Sequence, residues 1–120
     1  MPIKSIYAET KQYLTRDGSA IRELMHPEHH GNCNQSLAEA QIPPGMTTHL
    51  HLHRESEEIY YIVSGSGVMV LEDEQFLVKS GDSICIPPGT RHCIQNSDGS
   101  NLVILCCCSP AYSHADTELI

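Results

Sequence analysis

Apolar and β-branched residues fall in short runs of four to eight along this chain, and clusters of Gly, Pro, Asn, Asp and Ser separate them. Helical periodicity is scarce, whereas runs of this length bounded by turn formers read as strands. The pattern predicts strands at 21–25, 35–42, 48–53, 58–64, 68–71, 75–78, 82–86, 90–94 and 102–108. Between them lie Pro43-Pro44-Gly45, Gly65-Ser66-Gly67, Glu72-Asp73-Glu74, Ser80-Gly81, Pro87-Pro88-Gly89 and the polar stretch 96–101. Proline presets φ in these turns, and Gly, Asn and Asp tolerate the left-handed region. Many short strands in close succession predict an all-β sandwich or barrel. Residues 5–15 read as either a short helix or an extended arm, within an N-terminal arm-and-strand region 1–34. Residues 109–120 read as an irregular closing tail.

The 120 residues fit one domain, 1–120, and 40% hydrophobic content is enough for a core. The longest unbroken apolar run, 102–108, is too short for a membrane-crossing helix. Met1-Pro2-Ile3-Lys4-Ser5 has no apolar segment of the secretory kind, so a soluble cytoplasmic protein is expected. Fifteen acidic residues against seven basic ones give a net charge of −8, which repels phosphate backbones and anionic lipid surfaces. Neither nucleic acid nor a membrane is an expected partner. Six cysteines are present, but Cys106, Cys107 and Cys108 are consecutive and no CxxC occurs. All six are expected to be reduced thiols packed as small apolar residues.

Histidine changes the picture. Eight are present, and in His49-Leu50-His51-Leu52-His53 three imidazoles stand at every second position. In a strand they share one face, with Leu50 and Leu52 on the other. Imidazoles on one face with a glutamate close behind suit a divalent transition metal such as Mn, Fe, Co, Ni or Zn better than Ca or Mg.

The spacing is more specific. Gly45, His51-x-His53, Glu58 and Gly65 form one pattern over 45–65; Gly81, Pro87-x-Gly89, His92 and Asn96 form a second over 81–96. With both motifs complete, the chain resembles a small single-domain cupin. The resemblance implies a jelly-roll β-barrel of two antiparallel sheets around one divalent metal ion, with His51, His53, Glu58 and His92 at the ligand positions. Pairing His49 with His51 instead would break the register with Gly65. Glu57 is the alternative carboxylate, at the same cost. Three imidazoles and one carboxylate leave a divalent ion about one positive charge and, in an octahedral site, two open positions.

Such a site favours a small oxygen-rich ligand: a carboxylate, keto or hydroxy acid, diol or sugar derivative. The expected function is a metal-dependent enzyme, with dioxygenase chemistry ranked slightly above lyase, decarboxylase or isomerase work. The alternative is a metal-loaded binding or sensing protein. The resemblance also implies a homodimer, with the N-terminal arm covering an open sheet edge.

Strand parity places Tyr60 on the face of Glu58, either as a phenol near the metal or as a buried tyrosine bonded to backbone. His49 is expected at the rim, and Cys93 is expected to point away from the metal. Arg22 is read as a surface salt bridge or, less simply, as a clamp on a substrate carboxylate. His26, His29, His30 and His114 show no partner spacing.

Overall fold

A computed structural model describes residues 2–120; Met1, where the expected N-terminal arm begins, lies outside the described residues. Eleven strands form two antiparallel sheets facing each other. They are β1 (Gln12–Leu14), β2 (Ala20–Met25), β3 (Ser36–Ile42), β4 (His51–His53), β5 (Glu57–Ser64), β6 (Ser66–Leu71), β7 (Glu74–Lys79), β8 (Ser83–Ile86), β9 (His92–Asn96), β10 (Leu102–Ser109) and β11 (Thr117–Leu119). One sheet runs β1-β2-β3-β10-β5-β8 and the other β11-β4-β9-β6-β7. A four-residue helix, α1 (Pro27–His30), and two 3-10 turns complete the chain.

Alternation decides what each strand puts between the sheets. Glu58, Tyr60 and Ile62 of β5 are buried, while Ile59, Tyr61 and Val63 face out and are 42–44% exposed. On β10, Leu102, Ile104, Cys106 and Cys108 turn inward. Register sets Cys108 opposite Glu58 and Cys106 opposite Tyr60. The core holds Ile42, Ile62, Met69, Ile86, Ile94 and Ile104.

Three expectations need correction. Residues 48–50 do not join β4: the Thr48 amide donates to the Ile94 carbonyl and the His49 amide to the Asp17 carbonyl, so the strand begins at His51. Likewise β9 starts at His92, because Thr90 closes the turn onto Pro87. The closing tail is not wholly irregular, since β11 pairs with β4 and sets Thr117 directly opposite His53. In the N-terminal region, a 3-10 turn (Tyr7–Glu9) and β1 occupy the stretch read as either helix or arm. No helix among the described residues is long and apolar enough to cross a membrane.

Candidate metal centre

His51 and His53 reach the space between the sheets from β4, and His92 reaches it from β9, directly opposite His51. All three are buried, and their ligating atoms lie within 4.8 Å of one another, so the cluster could hold a metal ion. Nδ1 of His51 lies 2.8 Å from the His49 carbonyl, and Nδ1 of His92 lies 2.9 Å from the Thr90 carbonyl. A carbonyl only accepts, so each Nδ1 carries its hydrogen. His53 Nδ1 lies 3.0 Å from the Thr117 hydroxyl, which donates its own hydrogen to the Ser113 carbonyl at 2.9 Å. That hydroxyl therefore accepts from His53. A neutral ring so held presents its Nε2 lone pair to the centre, the arrangement that outer partners impose on metal-binding histidines.

Glu58 Oε1 lies 3.2 Å from His53 Nε2 and 3.4 Å from His92 Nε2. Two ligands at right angles on bonds of about 2.0–2.2 Å stand about 3 Å apart, so these distances suit a shared ion. Without a cation, lone pairs face a carboxylate oxygen; both Glu58 Oε1 and His92 Nε2 are buried and lack a hydrogen-bond partner. Only a proton or a metal ion between them removes that conflict, and the donor set fits a divalent transition metal. With a proton rather than a metal ion in that gap, burial still pushes the Glu58 pKa up, but the hydrogen bonds and charge of protonated His53 and His92 outweigh it and hold the carboxyl at about 2. Burial, with His92 nearby, lowers the His51 pKa, against the opposing pull of the His49 carbonyl and Asp17.

The predicted residues sort by face. Glu57 is exposed on the outer face, so β5 delivers Glu58 instead. His49 is exposed and contributes backbone groups, as expected of a rim residue. Tyr60 is buried with its ring edge-on to His92, centroids 6.1 Å apart. Its pKa stands well above the ordinary tyrosine value, first through burial and then through Glu58. Arg22 forms neither a salt bridge nor a clamp among the described residues. It has the opposite parity to buried Ile21 on β2, with its guanidinium 4.9 Å from the centroid of the Tyr7 ring and Nε and Nη1 buried without hydrogen-bond partners. The six cysteines are free, as expected, but Cys33, Cys85 and Cys107 are exposed and not packed as small apolar residues.

Two residues at the centre escaped the sequence reading. The Cys108 thiol donates to Glu58 Oε2 at 3.3 Å; burial and Glu58 raise its pKa, so it remains a thiol. Strand parity could have found it. Asp17, in the turn between β1 and β2, sets Oδ2 3.7 Å from His51 Nε2. Its Oδ1 accepts from the Thr15 hydroxyl (2.5 Å), the Ser19 amide (3.0 Å) and the Ser19 hydroxyl (2.6 Å). No local spacing announces this approach, because 34 residues separate Asp17 from His51. The cavity beside these groups measures about 50 Å³, enough for an ion and a few water-sized groups.

Residues 38–108 match the cupin domain family. An uncharacterized protein of Methanocaldococcus jannaschii is 54% identical over 118 residues, covering 98% of this chain and 94% of that protein. An oxalate-binding protein of Thermotoga maritima is 33% identical over 84 residues, 70% of this chain and 65% of that one. Among solved structures, a substituted Streptomyces Pac13 with uridine superimposes with a TM-score of 0.82 at 20% identity, covering 100% of this chain and 92% of the other. That likeness speaks for the fold.

Proposed function

The chain belongs to the cupin family, and on that premise we propose that it is a metal-dependent enzyme acting on a small oxygen-rich molecule. His51, His53 and His92 would hold one divalent transition-metal ion, with Glu58 as the fourth ligand. The observation that carries this reading is the buried meeting of the His53 and His92 Nε2 atoms with Glu58 Oε1. A divalent ion bound there supplies a Lewis acid for a coordinated carbonyl or hydroxyl and, if redox-active, a centre for dioxygen.

Dioxygen chemistry at a metal needs few protein groups beyond the ligands. Asp17 Oδ2 and the Tyr60 phenol both line this cavity, so we rank proton-transfer chemistry of the lyase, decarboxylase or isomerase kind first. In this reading Asp17 Oδ2 takes up and returns a proton beside His51. Tyr60, its pKa raised, stays a hydrogen-bond donor to developing negative charge on oxygen. The similarity to an oxalate-binding protein favours a second reading, a metal-loaded binding protein without turnover.

The test is elemental analysis of the purified chain beside a His51→Ala/His53→Ala variant. About one equivalent of Mn, Fe, Co, Ni or Zn, lost in the variant, is expected. Failure of both proteins to retain any metal after reloading overturns the proposal. Solvent-deuterium incorporation into candidate substrates then separates proton transfer from oxygen consumption and from binding alone.

We further place the protein in the cytoplasm, in keeping with its six free thiols, and assign it a homodimer. The apolar outer row Ile59, Tyr61 and Val63 supports pairing with a second copy.

A further inference from the structure

We infer that the cavity is built for an uncharged ligand that presents hydroxyl groups, such as a diol, polyol or enediol, and that it disfavours free carboxylates and phosphates. This narrows the substrate class, sets decarboxylation aside in favour of lyase or isomerase work on a neutral molecule, and rests on the metal centre proposed above. The lining includes Asp17, Glu23 and Glu58 but no lysine or arginine. The nearby guanidiniums lie outside the lining. Arg16 donates to the carbonyls of His114 and Thr117 at 3.2 and 3.0 Å, and Arg22 rests on the Tyr7 ring with Nε and Nη1 buried and without hydrogen-bond partners. Arg54 and Arg91 pair with Glu118 and Glu72. Among the described residues, therefore, no cation is placed to clamp an anion inside the barrel, where bidentate arginine is the usual device.

Two carboxylate oxygens of lining residues, Asp17 Oδ2 and Glu23 Oε1, receive no hydrogen bond. Three hydrogen bonds hold Asp17 Oδ1 and leave Oδ2 facing His51. The Tyr13 hydroxyl donates to Glu23 Oε2 at 3.0 Å, while Glu23 Oε1 is buried without a hydrogen-bond partner. A ligand that supplies hydroxyl hydrogens satisfies both oxygens, whereas one that brings only acceptors leaves them bare. Charge points the same way. Three carboxylates against a divalent ion already leave the cavity one negative charge, and an anionic ligand deepens it where solvent screening is weak.

The test uses the full chain loaded with Co(II), its visible absorption titrated separately with D-ribose, cis-1,2-cyclohexanediol and oxalate. Ribose or the diol is expected to change the spectrum, and oxalate to require about tenfold more or to have no effect. Asp17→Asn/Glu23→Gln is expected to strengthen oxalate binding about tenfold and to weaken that of the neutral probes. Glu23→Gln alone should show the same trend should the double variant fold poorly. Oxalate binding tighter than either neutral probe, or no response to both neutral probes, overturns the inference. Cobalt content of the same samples separates the two failures. One bound equivalent with oxalate preferred removes this inference alone, whereas no bound cobalt removes the metal centre and this inference together.

Discussion

Thr117 acts on the site through His53: its hydroxyl accepts from Nδ1 and turns Nε2 toward the cavity. Thr117→Val keeps the shape and removes that acceptor. Metal affinity should fall about 10- to 100-fold with the fold intact, read by competition with a chromogenic chelator. Acid should weaken the metal-free fold through two residues. Buried His51 resists the proton that an unfolded chain takes up near 6.5, so stability declines as pH falls below that value. Burial alone would raise the Glu58 pKa, but His53 and His92 lower it from 4.5 to about 2. Its contribution is therefore present above 4.5 and lost as pH falls toward 2. Urea midpoints of chelator-treated protein, measured across pH, should decline over both ranges, and His51→Gln should remove the upper one. The convergence of His51, His53, Glu58 and His92 was legible because parity and spacing are local. Asp17 was not, because its approach to His51 depends on how a distant turn docks.

At the scale of elements, β6 and β9 approach so closely that one position admits only glycine. A Cβ on Gly67 would stand 2.5 Å from the Gln95 carbonyl oxygen and 3.1 Å from Leu102 Cδ2. The carbonyl is backbone and cannot turn away, so the sheet itself would have to open. Gly67→Ala should cost about 2–4 kcal/mol, seen as a lower urea midpoint at unchanged slope. The hairpin β1–β2 shows the opposite kind of specification. Few apolar residues mark β1, yet the Asp17 carbonyl receives the His49 amide and Arg16 ties the turn to the tail. These long-range bonds set the position of Asp17. For the same reason β11, polar and three residues long, is a strand only because β4 offers it an edge.

For the whole molecule, the outer face of the larger sheet carries the exposed row Ile59, Tyr61 and Val63, beside exposed Cys85 and Cys107. With eight net negative charges, distant repulsion opposes self-association, so a dimer must draw on apolar contact. Sedimentation equilibrium should give about twice the 13.3 kDa chain mass, and Tyr61→Glu should return it to the monomer value. A monomer at all accessible concentrations would remove the dimer assignment.

The sequence by itself determined the strand-rich barrel, the inward set His51, His53, Glu58 and His92, and the outward set Ile59, Tyr61 and Val63. Each follows from a two-residue period or a fixed motif spacing, properties carried within a few neighbouring residues. Tertiary structure decided what surrounds that set: Thr117 behind His53, Cys108 behind Glu58, and Asp17 before His51. It also turned Arg22 out of the cavity and left the lining without a cation. These outcomes depend on strand order and register between segments up to 64 residues apart, and the local pattern carries no record of either.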